Sequence, residues 1–217
     1  MTVKQKKERA EAFHAVLKDL YPNPECALLY GGDPWRLLVM ARLSAQCTDA
    51  RVNIVSETLF AEFPTAEAMA EGELARIESI VRPCGLFRTK AQSIKQMSVQ
   101  LLEQHGGRVP DTMEELLALP GVGRKIANLI LGDIYGKGGV VTDTHCIRIG
   151  GRIGLYPESL KDPVKVERML TPLIPSEEQS DFCHRIVQFG RDVCSARTPH
   201  CDICPARGLC DHAKKKK

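Results

Sequence analysis

Apolar residues recur every three or four positions along almost the whole chain, and the strict alternation of a half-buried strand is nowhere sustained. In "KKERAEAFHAVLKDL", Ala10, Phe13, Leu17 and Leu20 form one stripe. "PWRLLVMARLSAQ" opens with Pro34 in the first turn, where a helix tolerates it. Val52, Val55 and Leu59 keep register in "DARVNIVSETLF". Helical segments continue through "ELARIESIV", "TKAQSIKQMSVQLLEQH", "DTMEELLAL", "GRKIANLILGDIY", "DTHCIRIGGRIG", "DPVKVERMLTPLI" and the stretch from Glu177 toward Ala196. Turns at Gly85, "HGGRVP", "PGVG", "YGKGG" and "LYPESLKD" join them. The pattern predicts an all-α protein of about ten helices. A chain of 217 residues can bury one sizeable core or two small ones, and two helical lobes are expected.

Composition supports helix, because only 5% of residues are aromatic. No apolar run reaches the roughly 18 residues a membrane span needs. The opening "MTVKQKKERAEAF" lacks the apolar core of a secretory signal, so a cytoplasmic protein with no membrane partner is expected. The net charge of +3 is unevenly spread. From Phe182 to Lys217 eight Lys/Arg face three Asp/Glu, 8 − 3 = +5, and the chain ends in "KKKK". Such a patch suits a phosphate backbone, although Lys214 to Lys217 also read as a solvated tail.

Nine cysteines in a chain of this kind are not read as disulfides, since the cytosol keeps thiols reduced. Cys26, Cys47, Cys84, Cys146 and Cys183 are scattered and read as small core residues. Cys194, Cys201, Cys204 and Cys210 instead lie in "CSARTPHCDICPARGLC", spaced C-x6-C-x2-C-x5-C. Thiolates this close in sequence converge on one metal centre. Zinc sites usually pair two short knuckles and only one is present; all-cysteine ligation also suits a four-iron, four-sulfur cluster. Spacing alone leaves the metal open. His200 and His212 read as surface residues beside a completed site, and Arg197 and Arg207 as a basic knob organised by the loop.

In "LPGVGRKIANLI" a glycine turn separates the stripe Met113, Leu116, Leu117 from the stripe Ile126, Leu129, Ile130. The element is helix, hairpin, helix. A dinucleotide fingerprint would need a preceding strand and a third glycine where Ile126 stands, and a P-loop would need a longer loop with Ser/Thr after the lysine. What remains is a helix N-terminus whose free N–H groups and positive dipole end hold a phosphate, with Gly121 and Gly123 letting a nucleic-acid backbone approach Val122 and Arg124. Lys125, in the first turn beside Arg124, reads either as a phosphate contact or as a nucleophile whose proton loss the dipole and Arg124 favour. Eighteen positions on, in "VVTDTHCIRIGGRIGL", Asp143 reads as a helix N-cap partly buried behind Val140 and Val141. A carboxylate there could also orient the lysine, take up protons or stabilise a sugar cation.

"LPGVGRKIANLILGDIYGKGGVVTDTH" resembles the helix-hairpin-helix and following aspartate of the endonuclease III family of DNA glycosylases and abasic-site lyases. "RLSAQCTDARVN" and "CGLFRTKAQSI" resemble two further segments of that family, and the C-terminal cysteines match its cluster loop, so the likeness covers roughly residues 30 to 212. The resemblance implies a helix-hairpin-helix DNA glycosylase fold: a six-helix barrel domain at 27–137 with the hairpin at about 112–134, and a cluster domain built from 1–26 with 138–217. It implies Lys125 as Schiff-base nucleophile, Asp143 as its assistant, and Cys194, Cys201, Cys204 and Cys210 as ligands of one [4Fe-4S] cluster. Gln46 and Leu86 would fill the gap left by an extruded base, and Gly121, Val122, Gly123 and Arg124 would grip the backbone. His145 would lie near a phosphate or serve as an ordinary helix histidine.

The expected activity is base excision repair: removal of oxidised pyrimidines and β-elimination at the abasic site, by a monomer acting on double-stranded DNA. Adenine glycosylases of the same fold lack the hairpin lysine. Ile126, Thr142, Arg42 and the "LGD" of Leu131 to Asp133 depart from the family's usual residues, which bears on base preference. The alternatives are a glycosylase for mismatched or alkylated bases, or a non-catalytic damage-binding iron–sulfur protein, which would need neither Lys125 nor Asp143.

Overall fold

The computed structural model describes residues 1–215, so Lys216 and Lys217 of the basic tail lie outside the described residues. Among those residues there are twelve α-helices, four short 3₁₀ turns and no strand. The chain divides into two compact units, Cys26–Tyr135 and Met1–Glu25 together with the chain from Gly136 onward. No described helix is long and apolar enough to cross a membrane.

The unit Cys26–Tyr135 carries α2 (Pro34–Leu43), α3 (Asp49–Glu62), α4 (Ala66–Glu71), α5 (Leu74–Val81), α6 (Phe87–His105), α7 (Met113–Ala118) and α8 (Arg124–Asp133). Asp33 starts α2 by accepting from the amides of Trp35 and Arg36, with Pro34 at the first helical position. Trp35, Leu37, Leu38, Val39, Met40, Ala41 and Leu43 are all buried, so this helix is apolar on nearly every side and runs through the core of its unit. The Trp35 indole N–H donates to Ser98 Oγ at 3.1 Å, satisfying its one polar atom inside that core. Helix α4 is absent from the periodicity reading because its apolar residues are three alanines and one methionine, so no stripe of large side chains marks it; Thr65 caps it and Ala66 and Met69 anchor it.

The second unit begins with α1 (Val3–Leu20), opened by a capping box in which Thr2 and Gln5 exchange side-chain hydrogen bonds. Ala10, Phe13 and Leu17 are buried as expected, whereas Leu20 is exposed and His14 takes its place on the inner face. Helices α9 (Thr144–Ile153), α10 (Pro163–Leu170), α11 (Gln179–Asp192) and α12 (Asp211–Lys215) complete the unit. Phe13 meets Phe182 and Phe189 of α11 edge-on, with ring centroids 6.4 and 5.6 Å away. These contacts explain why the first helix belongs with the C-terminal half of the chain. Arg9 strengthens the same closure, donating to the Ile153 carbonyl at 2.9 Å and pairing with Asp211 at 2.8 Å.

Candidate active site

The hairpin is built between α7 and α8. Thr112 caps α7 through the amide of Glu115, and Leu119 and Val122 turn inward, 2% and 7% exposed, to pin the loop on the core. Gly121 has φ +78°, a conformation side-chain-bearing residues rarely adopt. A Cβ there would also lie 2.4 Å from Arg42 Nε and 2.9 Å from Ser93 Oγ. Arg42, whose place in the sequence looked only like a departure, thus packs beneath the turn, and burial lowers its pKa. Gly123 differs: its backbone is extended, and a Cβ on it would meet nothing within 4 Å. It is the N-cap of α8 and supplies no side-chain acceptor to the first turn, where Arg124 and Lys125 are both exposed. This is a helix start with its positive end facing outward and two cations beside it.

Gln46 and Leu86 are the two non-glycine residues with positive φ among those described, at 56° and 47°. Such backbone costs free energy that a surface turn has no packing reason to bear. Leu86 is nevertheless 58% exposed, and Gln46 is exposed as well. The turn at Leu86 is held from below by Lys90, which is fully buried: its amide donates to the Leu86 carbonyl and its ammonium to the Cys84 carbonyl at 2.8 Å. Arg82 and Arg88 both stand over the Phe87 ring, adding positive charge around the turn. Cys84, two residues before Leu86, is buried in the core of this unit, and Cys47, one residue after Gln46, packs against the same core.

Asp143 belongs to the other unit and is half-buried behind Val140 and the buried Thr142. One carboxylate oxygen accepts from the amide of Cys146 at 2.7 Å, capping α9 and fixing the side chain's direction. His145 packs against α11 at Gly190, where an added Cβ would stand 2.2 Å from its Nδ1. Arg148 Nη2 is 3.1 Å from the same nitrogen, so Nδ1 is the accepting side of the ring. The helix-histidine reading of the sequence therefore describes a structural contact that this residue makes.

Cys194 follows α11, Cys201 and Cys204 sit in the ensuing loop, and Cys210 precedes α12. All four line one cavity with an empty volume of about 360 Å³, together with Ile149, Ile153, Phe189 and Val193. Burial raises the pKa of the Cys204 and Cys210 thiols, and the neighbouring cysteines raise it further. Among the described residues no three of these sulfurs lie within 4.8 Å of one another. A single tetrahedral zinc, with bonds of roughly 2.3 Å, would hold its four sulfurs closer than that.

Two arginines of α9 that belong to no short motif brace the loop. Arg152, 7% exposed, donates to the Ser195 and Ala196 carbonyls at 2.7 and 2.9 Å and to Cys194 Sγ at 3.3 Å. Arg148 donates to the Cys194 carbonyl from both Nε and Nη2, at 3.2 and 3.0 Å. Arg197 and Arg207 are exposed on the loop itself, as is His200. His212 departs from expectation: it is half-buried, with Nδ1 3.2 Å from Glu158, whose carboxylate also faces Arg152 at 3.8 Å. The signal was its place one residue into α12, a turn that packs on α9.

Residues 39–176 match the family described as "HhH-GPD superfamily base excision DNA repair protein". The chain is 44% identical to endonuclease III of Synechocystis sp. over 96% of its own length and 94% of that protein's. It superposes with a TM-score of 0.90, at 35% identity, on a structure entitled "Structure of a non-covalent Endonuclease III-DNA Complex", covering 100% of this chain and 98% of that one. A structure of a trapped endonuclease III–DNA covalent intermediate matches equally, with a TM-score of 0.90 at 35% identity over 100% and 99% of the two chains. With the hairpin, the two strained turns and the cysteine loop in place, the chain belongs to the HhH-GPD superfamily of base excision DNA repair proteins, within its endonuclease III group.

Proposed function

We propose that this protein is a DNA glycosylase with abasic-site lyase activity, acting as a monomer on double-stranded DNA that carries oxidised pyrimidines or abasic sites. The observation that carries the reading is Lys125, exposed in the first turn of a helix whose N-cap, Gly123, brings no side chain of its own. A phosphate seated at that helix start would be held by backbone N–H groups and by Arg124, and the duplex would be positioned without any base being read. Gly121, Val122 and Gly123 shape the approach. Gln46 and Leu86, held exposed in strained backbone, would fill the space an extruded base leaves.

In the chemical step Lys125 Nζ would attack the sugar C1′, and the bond from C1′ to the base would break as the base leaves with a proton. The amine and the opened sugar then form a Schiff base, which acidifies the C2′ hydrogens. Loss of one of them expels the 3′ phosphate by β-elimination. Asp143, its carboxylate fixed by the Cys146 amide, would stabilise positive charge on the sugar and exchange protons with Lys125. His145 would stand near a phosphate.

Cys194, Cys201, Cys204 and Cys210 fit a [4Fe-4S] cluster by donor type, by their common cavity and by a spacing wider than one metal needs. When bound, the cluster would take up the charge of four thiolates and hold the loop in shape. Arg197 and Arg207 would then be presented as a rigid basic surface. The domain assignment follows: 27–137 would grip and probe the duplex, while 1–26 with 138–217 would carry Asp143 and the cluster.

Borohydride reduction of the protein on an abasic duplex tests the lyase. A covalent adduct is expected, and Lys125→Ala should abolish it. A well-folded, iron-loaded protein that gives no adduct, or an adduct that survives in Lys125→Ala, would overturn the reading. Base release over a panel of damaged and mismatched duplexes then ranks substrates, with oxidised pyrimidines expected first. Iron and sulfide analysis should find about four of each per chain; a colourless, zinc-loaded protein would refute the cofactor.

A further inference from the structure

Three arginines among the described residues have a buried Nε without a hydrogen-bond partner: Arg36, Arg42 and Arg152. Two of them face a carboxylate, Arg36 at 3.6 Å from Asp33 and Arg152 at 3.8 Å from Glu158. Arg42 is half-buried and makes no ion pair or hydrogen bond among the described residues, and burial is the one influence that moves its pKa. A guanidinium partly withdrawn from water costs free energy unless an anion stands beside it.

The place of Arg42 gives that cost a use. It lies in the last turn of α2, four residues before the strained Gln46. Its Nε and Cδ would stand 2.4 and 2.8 Å from a Cβ on Gly121, and Ser93 Oγ would stand 2.9 Å from the same point. Ser93 belongs to α6, the helix that starts immediately after Leu86. The cation therefore sits beneath the hairpin turn, between the helix that leads into Gln46 and the helix that Leu86 opens. Gly121 is exposed. Since it carries no side chain, only its backbone separates the guanidinium from the surface a phosphate approaches. The carbonyl end of α2 favours a cation in its last turn, but it would favour one pointing into water equally.

We propose that Arg42 is a second cation of the hairpin's phosphate site, acting from beneath Gly121 while Arg124 acts from the start of α8. The DNA phosphate supplies the anion that the described residues do not, and the free protein bears the cost of the unpaired charge until the duplex arrives. Ala41 and Leu43 on either side are buried, so the attraction runs through a medium with little water and is screened less than that of an exposed lysine. Arg42 reads no base and touches no reacting atom. It is a positioning residue that holds the backbone in place for Lys125. The inference rests on the reading of the hairpin as the element that grips DNA.

The test uses the iron-loaded, full-length protein and a duplex with a tetrahydrofuran abasic analogue, titrated by fluorescence anisotropy from about 50 to 200 mM salt. Arg42→Met keeps the length of the stem and removes the charge. It should bind about tenfold more weakly, and the slope of log affinity against log salt should become shallower by about 0.9, the equivalent of one phosphate. Its melting temperature should equal or exceed the parent's, because the unpaired charge is gone. Arg42→Lys should recover most of the slope. Arg76→Gln, which removes an exposed arginine paired with Glu62, should leave affinity and slope unchanged. An unchanged slope in Arg42→Met overturns the proposal, and so does an equal change in Arg76→Gln or a slope in Arg42→Lys as shallow as in Arg42→Met. A melting temperature well below the parent's in Arg42→Met also overturns it, by making Arg42 a packing residue. Parent protein that fails to bind the duplex at every salt concentration overturns the hairpin reading itself, and this is seen before any variant is made.

Discussion

Alanine substitution at the two hairpin glycines should separate what the turn needs for folding from what it needs for DNA. At Gly121 the residue must adopt φ +78°, which costs an alanine about 1–2 kcal/mol relative to glycine. Its Cβ would also stand 2.4 and 2.8 Å from Arg42 Nε and Cδ and 2.9 Å from Ser93 Oγ. Overpacking of this kind costs about 1–3 kcal/mol. Because Arg42 and Ser93 are side chains that can shift, the lower part of that range applies, and Gly121→Ala should lose about 2–3 kcal/mol. For a protein of this size that lowers Tm by roughly 5–10 °C. At Gly123 the backbone is extended and no atom lies within 4 Å of a new Cβ, so Gly123→Ala should stay within about 1 kcal/mol of the parent. The same methyl, however, would occupy the space a phosphate must enter at the start of α8. Thermal melting and abasic-duplex titration of both variants check the pair. Equal melting losses at the two positions, or unchanged DNA affinity in Gly123→Ala, would refute the division of roles.

Asp143 has a structural and a chemical role that different replacements resolve: Asp143→Ala should lose the α9 cap and about 1 kcal/mol, while Asp143→Asn keeps the cap and the melting temperature. Both should lose base-release activity, and an active Asp143→Asn enzyme would remove the carboxylate from the mechanism. Leu86→Gly should relieve the left-handed strain at an exposed site, leaving stability equal to the parent or up to about 1 kcal/mol higher, yet weaken abasic-duplex binding. A melting temperature well below the parent's would show that the leucine is a packing residue instead. His14, whose pKa is lowered chiefly by burial and then by Lys18, binds fewer protons folded than unfolded near its ordinary value of 6.5. Its contribution is therefore complete above about pH 6.5 and is lost as pH falls through the lower folded value. Denaturant titrations across that window should show stability falling toward acid, and His14→Gln should flatten the slope.

Much of the fold was legible because it rests on repeated local signals. Stripes such as Val52, Val55 and Leu59, and a first-turn proline such as Pro34, predict helices whose buried faces the structure reproduces. The hairpin, Asp143 and the cysteine spacing were legible for the same reason, since each is a short run of residue types with a chemical meaning. The buttresses were not. Arg148 and Arg152 belong to no short motif, and only folding brings them onto the carbonyls of residues 194 to 196, more than forty positions away. Leu20 shows the opposite failure: a residue in register with a stripe lies past the point where the helix has a partner, and it faces solvent.

The two lysines of the similar segments "PCGLFRTKAQSI" and "PGVGRKIANLI" show how context decides what a cation does. Lys90 and Lys125 both follow a glycine turn into a helix, yet the first is fully buried and the second exposed. Lys90 stands four residues after Leu86, one helical turn in, where its side chain folds back to the Cys84 carbonyl while its amide takes the Leu86 carbonyl. An ammonium so buried is costly, and its pKa is lowered chiefly by that burial. Its compensation is to satisfy both ends of a turn that must hold Leu86 in strained backbone. Lys125 comes two residues after Gly123, in the first turn of α8, and its side chain is exposed. The same residue type thus braces one turn and is left available for chemistry at the other, and the number of residues between glycine and lysine makes the difference.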